Sequence, residues 1–290
     1  KNNFVGKMLT EVRKITLCGD DGDPIYAKDL IKIIAWFREN NDQVQFVIVT
    51  NGSYKTQQWW QELDGVLNEN DHIHFSLDGW DQDSNNNYRV NCDWQSIMLG
   101  IETLRNTKAY KTWAAIAFKF NEDKIVQMKE MAKEHGFDAF QLTLSTKFNK
   151  NYPAYPINDP LQPSDQFISQ GRFTRTTDKL SSKEWKDNCL DIFTERFYNA
   201  DTKASIIPLC MIGNKGLYLN AQGRFYPCCW TALRYGHNRD IFDYIKPTQT
   251  LAETLDDPLW SKLFNNLSSV RECGEKCSGK KWNIEHATNW

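Results

Sequence analysis

The sequence has no apolar run close to the roughly 18–20 residues that a membrane-spanning helix needs, so it predicts no transmembrane segment. Its first residues, KNNFVGKML, contain no signal-peptide core, and no segment of the chain is repeated. Neither sign of charge is in excess: 35 basic and 37 acidic residues leave a formal charge of −2, which gives no general attraction to nucleic acid or to an anionic membrane. We therefore expect a cytoplasmic protein with neither kind of partner.

Strand-like and helix-like segments alternate through residues 14–145. Five short runs are typical of buried strands: Lys14–Cys18, Val44–Thr50, His72–Leu77, Thr112–Phe118 and Phe140–Ser145. Between them, apolar residues recur at helical spacing on the faces Leu30/Ile34/Phe37, Trp94/Met98/Ile101 and Ile125/Met128/Ala132, with a less regular helix around Gln57–Leu67. Such alternation predicts parallel βαβ units. We expect an α/β fold built on a partial (β/α)6 TIM-like barrel, N-terminally incomplete because little chain precedes the first strand.

The composition changes after the barrel-like part. Residues 146–180 contain four prolines and little apolar periodicity, which predicts a long surface connection before a helix over Lys183–Phe197. Further on, GLYLNAQGRFYP predicts a hairpin turning at Asn220–Gly223, and a helix is expected over Leu251–Leu267. We divide the chain into a barrel-like domain at 1–150, a connector at 151–205 and a small α+β domain at 206–290.

Five of the eight cysteines lie between Cys210 and Cys277, and such clustering more often binds metal than forms disulfides. Cys210 and Cys228 enclose 17 residues and meet across the base of the hairpin, Cys228 and Cys273 enclose 44, and Cys273 and Cys277 enclose three. Four thiolates suit either a 4Fe–4S cluster or a structural zinc ion.

Only one of the adjacent Cys228 and Cys229 can face the metal, because neighbouring side chains of a strand point to opposite faces. We choose Cys228, since Gly223 fixes the reach of the turn before it. The upstream Cys18, Cys92 and Cys189 are expected to be packing residues.

The pattern Cys210-x12-Gly223-x4-Cys228 with the closing pair Cys273 and Cys277 resembles the twitch domain, the short form of the SPASM domain. That domain is appended to radical S-adenosylmethionine (radical SAM) enzymes. The resemblance implies one auxiliary 4Fe–4S cluster held by these four cysteines.

The upstream half resembles the same superfamily. GDDGDP at 19–24 is similar to the family's GGEP-type motif, with Gly22, Asp23 and Pro24 matching. In the family, the backbone and the acidic residue of that turn receive the amino group of the methionine moiety of S-adenosylmethionine.

Other motifs match the ends of later family strands: TNGS at 50–53, which supplies Thr50 and Asn51, and FSLDG at 75–79. By the same resemblance, Ser76 and Asp78 point toward cofactor or substrate. Arg89 matches an arginine that pairs with the methionine carboxylate, a bidentate contact suited to its planar fork, and Asn121 would line the same cavity.

The CxxxCxxC triad that holds the S-adenosylmethionine-cleaving cluster in the family is absent from these 290 residues. We favour truncation over degeneration, because a degenerate relative has no reason to keep the Gly-Asp-Pro turn. The polypeptide as written is not expected to cleave S-adenosylmethionine. A second 4Fe–4S cluster is expected only with the missing upstream segment.

For the complete enzyme the resemblance implies a 5′-deoxyadenosyl radical that abstracts hydrogen from a peptide or other substrate, and the auxiliary cluster would allow net oxidation. An electron donor such as a flavodoxin or ferredoxin is implied as well. Two alternatives stay open: a non-catalytic iron–sulfur protein for binding or electron transfer, and a hydrolase with a structural zinc and the catalytic carboxylates Asp23 and Asp78.

Overall fold

The computed structural model describes residues 4–19, 22–145, 148, 159–170, 175–186, 218–220, 223–226 and 250–258. The chain divides into two compact units, one of Lys14–Lys186 and one of Lys1–Arg13 together with Asp187–Trp290. In the described part of the chain, no helix is long and apolar enough to cross a membrane.

The first unit is built on one six-stranded sheet. Its strands are β1 (Lys14–Leu17), β2 (Gln45–Thr50), β3 (His72–Ser76), β4 (Tyr110–Ile116), β5 (Ala139–Thr143) and β6 (Arg175–Lys179), and they follow that order across the sheet. Strands β1 to β5 pair in parallel, as the alternating pattern predicts, whereas β6 pairs antiparallel with β5. The α/β class and the partial barrel are thereby confirmed, with an antiparallel sixth strand.

Four helices cover one face of this sheet: α2 (Leu30–Asn40), α3 (Gln57–Asp64), α5 (Trp94–Thr103) and α6 (Ile125–Glu134). The short helices α4 (Gln82–Asn86) and α7 (Asp165–Gln170) and a 3-10 turn at Pro24–Tyr26 lie in the connections. Aromatic contacts join helices and strands: the ring of Phe37 in α2 lies 5.6 Å from that of Phe46 in β2, and Trp60 in α3 lies 5.6 Å from Phe75 in β3. The predicted faces of α2 and α6 are the ones turned toward this core, with Leu30, Ile34, Met128 and Ala132 buried.

The buried face of α5 differs from the expected one. Ile97, Gly100 and Ile101 are buried, while Trp94 and Met98 are only half-buried. A Cβ atom on Gly100 would lie 2.5 Å from the indole of Trp60, so the glycine lets α5 approach α3 closely. The face of α5 that carries Gly100 is therefore the buried one.

The connection at 146–180, predicted as a long surface connection, also contains regular structure. It contains α7 and the edge strand β6, whose sequence RTTDK has no apolar residue and is exposed along its length. This strand is held by backbone hydrogen bonds with β5, and such bonds cannot be predicted from the pattern of apolar side chains.

Residues 183–186 are not helical, in contrast to the helix expected there, and the remainder of Lys183–Phe197 lies outside the described residues. Trp185 instead packs at the amino end of the sheet, where its ring lies 4.5 Å from that of His72 and its Nε1 donates to the carbonyl of Asn70 at 2.9 Å. The Nζ group of Lys183 donates to the carbonyls of Thr107 (2.9 Å) and Ala109 (2.6 Å).

The second unit is described only in part. It contains α1 (Lys7–Glu11), the antiparallel strands β7 (Tyr218–Leu219) and β8 (Phe225–Tyr226), and α8 (Leu251–Asp256). The hairpin turns at Asn220–Gly223 as predicted, with Gly223 at a φ of +77° and its amide bonded to the carbonyl of Asn220. Helix α8 begins at the predicted residue behind a Thr250 capping box, and the chain from 259 onward lies outside the described residues.

Candidate functional site

The turn that follows β1 is tied to the end of β2 by one carboxylate. Asp23 Oδ1 accepts from the amide of Ile25 at 3.1 Å and caps the 3-10 turn that Pro24 begins. Its Oδ2 accepts from Thr50 Oγ1 at 3.0 Å and from the amide of Asn51 at 2.6 Å. The predicted residues Asp23, Thr50 and Asn51 therefore form one hydrogen-bonded group at the carboxyl edge of the sheet.

The glycines of this turn have a steric role. A Cβ atom on Gly19 would lie 1.5 Å from the carbonyl oxygen of Gly22, so only glycine fits at position 19. Gly22 has a φ of +149°, which L-residues with a side chain rarely adopt. The backbones of Gly19 and Gly22 are thus in close contact directly before Asp23.

A buried ion pair lies after β3. The carboxylate of Asp78 is fully buried: its Oδ1 accepts from the amide of Ile116 at 2.7 Å, and its Oδ2 lies 2.8 Å from Arg89 Nε without hydrogen-bond alignment. Burial raises the pKa of the Asp78 carboxyl, and the Arg89 charge and the Ile116 amide offset only part of that rise. Arg89 is about one-quarter exposed, and its two Nη groups make no hydrogen bond with the described residues.

Two buried asparagines hold the turn around Asp78. Asn121 Nδ2 donates to the carbonyls of Asp78 (2.8 Å) and Ile116 (2.9 Å), and its Oδ1 accepts from the amide of Phe118 (2.8 Å). Asn121 lies in the turn after β4, fully buried, so its side chain braces the strand ends and does not face open space.

The second asparagine, Asn85, is one that sequence reasoning missed. Its Oδ1 accepts from the amides of Asp78 (3.0 Å) and Gly79 (3.2 Å). A Cβ atom on Gly79 would lie 2.2 Å from the amide nitrogen of Asn85, so the glycine permits this approach. The run NNN at 85–87 carries no periodic signal that would have selected its first member.

Ser76, the last residue of β3, is half-buried, and its hydroxyl makes no hydrogen bond with the described residues. It belongs to the sheet face opposite the helices, as do His72 and His74 on the same strand, because residues two apart on a strand share a face. The predicted residues thus fall into two bonded groups, around Asp23 and around Asp78, with Ser76 separate from both.

The predicted cluster ligands Cys210, Cys228, Cys273 and Cys277 lie outside the described residues, as does Cys189. Of the described cysteines, Cys92 is half-buried, with its Sγ 3.2 Å from Asn85 Nδ2, but Cys18 is exposed, which contradicts a packing role. Cys18 directly follows β1, where the chain leaves the sheet. Within the described ranges, no three His, Cys, Asp or Glu side chains are grouped so as to hold a metal ion.

Comparisons with known proteins rest on structure, since no family model and no curated protein matches the sequence. The structure of anSMEcpe with bound AdoMet and Cp18Cys peptide is similar over 95% of this chain and 76% of that chain, with a TM-score of 0.54 and 13% identity. Streptococcus suis SuiB bound to precursor peptide SuiA is similar over 86% of this chain, with a TM-score of 0.50 and 12% identity.

The structure of TYW1 with a lysine-pyruvate adduct matches over 45% of this chain, with a TM-score of 0.35 and 18% identity. The chain spans 41% of the length of TYW1 and 55% of the length of SuiB. All three proteins are radical SAM enzymes. At these identities the similarity to anSMEcpe and SuiB establishes the fold: the protein shares the partial barrel of radical SAM enzymes.

Proposed function

We propose that this protein has a radical SAM-type enzyme function. The observation that carries the proposal is the placement of its motifs. The Asp23 group and the Asp78–Arg89 pair follow β1 to β3 at the carboxyl edge of a partial barrel, where parallel α/β folds bind ligands. The similar solved structure of anSMEcpe contains bound AdoMet.

The turn after β1 fits the ammonium group of the methionine moiety. A carboxylate offers about four lone-pair positions, and the Asp23 carboxylate uses three of them on Ile25, Thr50 and Asn51. These bonds orient the carboxylate and leave acceptor capacity for one further donor. Thr50 is itself buried, and it also accepts from the amide of Gly52, so the group is rigid.

Arg89 fits the methionine carboxylate. Its Nη groups are available, and a guanidinium can bind a carboxylate through two parallel hydrogen bonds. Asp78 acts as a positioning residue in this proposal, because its buried carboxylate holds Nε of Arg89 and so directs the outer edge of the guanidinium. Ser76 offers a hydroxyl on the opposite face of the sheet to cofactor or substrate.

When bound next to a reduced 4Fe–4S cluster, S-adenosylmethionine supplies a 5′-deoxyadenosyl radical that removes a hydrogen atom from substrate. The residues of this chain bind and orient the cofactor and shield the reacting groups from water. The CxxxCxxC ligands of that cluster are absent from the 290 residues, so we propose that activity requires a segment bearing them.

We further propose that Cys210, Cys228, Cys273 and Cys277 hold an auxiliary cluster, on the spacing of the sequence alone. Such a cluster would supply a one-electron acceptor for a substrate radical, which would give net oxidation. The substrate is a peptide or another molecule, and peptides occupy both similar structures, anSMEcpe and SuiB. A flavodoxin or ferredoxin in the cytoplasm would supply the reducing electron.

The first test measures iron, acid-labile sulfide and zinc in the anaerobically purified chain, and S-adenosylmethionine binding by equilibrium dialysis. We expect about four iron and four sulfide per chain for one 4Fe–4S cluster. Arg89→Gln is expected to weaken S-adenosylmethionine binding about tenfold, the loss of a charge-assisted bidentate contact. Arg105→Gln, which removes an arginine paired with the exposed Glu102, is the matched control and should bind normally.

The two alternatives give different results. Zinc without sulfide would favour a structural zinc and a hydrolase. A full cluster in a chain that does not bind S-adenosylmethionine would indicate an iron–sulfur protein for electron transfer, and the radical SAM proposal would be withdrawn.

A further inference from the structure

The connections that follow β1, β2 and β3 at the carboxyl edge of the sheet expose large apolar side chains. Tyr26, in the first connection, is 47% exposed, Tyr54 in the second is 57% exposed and Val90 in the third is 73% exposed. Single exposed apolar residues are common on soluble proteins, but neighbouring ones indicate a surface that contacts a partner.

Two hydrogen bonds join these three connections. Tyr26 Oη donates to the carbonyl of Ser53 at 3.1 Å, and Tyr54 Oη donates to the carbonyl of Asn91 at 2.6 Å. Ser53 precedes Tyr54 and Asn91 follows Val90, so the three exposed side chains belong to one continuous surface. Both hydroxyls bond within the protein, whereas the rings that carry them stay about half exposed.

The backbone of this surface is strained at two places. Tyr54 has a φ of +63° and Asn91 a φ of +64°, and in the described part of the chain no other residue except glycine has a positive φ. Such a conformation is unfavourable for tyrosine, and strain of this kind persists mainly at binding and catalytic sites. The Tyr54 amide bonds Ser96 Oγ at 2.7 Å and its hydroxyl bonds Asn91, so the exposed ring is fixed at both ends.

A lysine next to Tyr54 has no counter-ion. Lys55 Nζ lies 5.2 Å from the centre of the Tyr26 ring and 4.8 Å from that of Trp59, both of which are cation–π distances. It makes no hydrogen bond or ion pair with any described residue, so its three N–H donors are available. Together with Tyr26, Tyr54 and Val90, this lysine forms a surface that we call the rim.

The sequence around the rim is basic. Residues 24–28, 51–61 and 84–92 contain three basic residues and no aspartate or glutamate. Asp23 and Asp93, which border these segments, already accept hydrogen bonds from backbone amides. The rim is therefore both apolar and positively charged, which is complementary to an acidic ligand that also carries apolar groups.

We propose that the rim binds an acidic peptide segment. A glutamate or aspartate of the peptide would accept from the Lys55 ammonium, and apolar side chains next to it would cover Val90 and the rings of Tyr26 and Tyr54. Tyrosines that are already fixed suit such a contact, because they bury a large area and lose little conformational entropy on binding.

A nucleic acid is less complementary to this surface. Proteins bind single strands through a positively charged groove that follows the phosphates, whereas the rim has one unpaired ammonium held between two rings. The formal charge of −2 on the whole chain gives no long-range attraction to a polyanion either.

The rim borders the candidate site. The Tyr26 amide donates to the carbonyl of Asp23 at 3.1 Å, and the Ser53 amide donates to Asn51 Oδ1 at 2.9 Å. A peptide on the rim would thus lie next to the hydrogen-bonded group that we assign to the cofactor. Its identification as the substrate rests on the proposed function, whereas the binding of the peptide does not.

The test measures the binding of labelled synthetic peptides to the purified chain by fluorescence anisotropy. One short peptide is rich in glutamate and leucine, and a second has glutamine in place of every glutamate. We expect the acidic peptide to bind with a dissociation constant of about 10–100 μM and the neutral peptide to bind about tenfold more weakly. Added salt should weaken the binding of the acidic peptide only.

Two substitutions at solvent-accessible positions test the contacts, each with a matched control. Lys55→Met removes the charge and should raise the dissociation constant of the acidic peptide about tenfold. Lys108→Met makes the same change at an exposed position before β4, on the amino edge of the sheet, and should have no effect. Val90→Ser removes apolar contact area and should raise the constant about threefold, whereas Val126→Ser, on α6 and 70% exposed, should not.

The outcomes keep this proposal and the proposed function apart. Equal binding of the two peptides, no binding of the acidic peptide below about 1 mM, or unchanged binding by Lys55→Met would overturn the proposal. So would binding of a labelled oligothymidylate by a chain that does not bind the acidic peptide. A chain that binds the acidic peptide but not S-adenosylmethionine would refute the proposed function and keep the rim, and the reverse result would overturn the rim alone.

Discussion

Short polar side chains determine the geometry of the loops at the carboxyl edge of the sheet. Asp23, Asn85 and Asn121 each bond two or more backbone amides or carbonyls, and two of these bonds join segments that are distant in sequence: Asp23 to the amide of Asn51, and Asn121 to the carbonyl of Asp78. Such bonds satisfy backbone groups that the ends of the strands leave without a ladder partner. The candidate site therefore rests on a rigid frame, because every bond of this kind removes a degree of freedom from a loop.

The Asp78 carboxylate provides a prediction at this scale. In Asp78→Asn, the side-chain oxygen would keep its hydrogen bond with the amide of Ile116. The new NH2 group would then face Nε of Arg89, so two donors would meet and the charge of Arg89 would have no counter-ion. We expect the free energy of unfolding to fall by about 2–4 kcal/mol, near the lower end for a broken buried pair because Arg89 is partly exposed. Urea denaturation of the variant would measure the loss.

The control is Asp29→Asn, which breaks a pair with Lys32 in which both side chains are mainly exposed. This variant should lower the free energy of unfolding by less than about 1 kcal/mol. If both variants lost the same stability, Asp78 would not be the anchor that we describe.

At the scale of elements, buried polar groups also fix the helices to the sheet. Lys111 in β4 is fully buried on the helix side, and its Nζ donates to the carbonyls of Ile101 (3.3 Å), Leu104 (3.2 Å) and His135 (3.3 Å) at the ends of α5 and α6. These carbonyls carry the partial negative charge of helix C-termini. One side chain thus joins two helix ends to the central strand.

Lys111 gives the protein a pH-dependent stability. Burial lowers the pKa of its ammonium to about 8, below the value of roughly 10.4 in an unfolded chain. Between these values the unfolded state binds more protons, so stability should rise with pH from about 8 to about 10.4, by up to about 3 kcal/mol. Comparing urea denaturation across this range for the wild type and Lys111→Met would isolate the effect, because the variant lacks the titrating group.

The variant should lose this rise and keep the pH dependence of all other groups. Lys32→Met, at an exposed position of α2, is the matched control and should behave as the wild type does. If the free energy of unfolding changed with pH in the same way for Lys111→Met and the wild type, burial would not lower the pKa of the Lys111 ammonium.

At the scale of the molecule, the barrel-like unit extends to Lys186, well past the five parallel strands. The segment 181–186 closes the amino end of the sheet: Trp185 packs on His72, Lys183 bonds the chain before β4, and Gln45 Nε2 donates to the carbonyl of Lys186 at 2.9 Å. A boundary near residue 150, as composition predicts, would remove β6 and this closure.

We expect a fragment of residues 14–186 to fold on its own with a cooperative thermal transition, because its strands, helices and closing segment are all present. A fragment of residues 14–182 lacks Lys183 and Trp185, and should lose about 2–3 kcal/mol of packing and hydrogen bonding. That corresponds to a melting temperature roughly 5–10 °C lower by circular dichroism. Equal melting temperatures, or no cooperative transition in the longer fragment, would contradict the assigned role of the segment.

Local patterns were enough to predict the five parallel strands, the face of α2, the hairpin at Asn220–Gly223 and the motif turns after β1 to β3. They succeeded because buried parallel strands are apolar runs, and because tight turns need glycine, asparagine and aspartate whatever the rest of the fold does. The composition also excluded a membrane-spanning segment, and the described helices agree.

Tertiary structure alone decided which of these residues meet. Strand β6 is held by backbone pairing that no side-chain pattern encodes. Asp78 meets Arg89 in a buried pair, and Asn85 was missed because a bond to a turn amide has no periodic signature. Sequence determines local conformation through short-range sterics and hydrophobic burial, whereas contacts between distant residues depend on strand register and on the closing of the sheet.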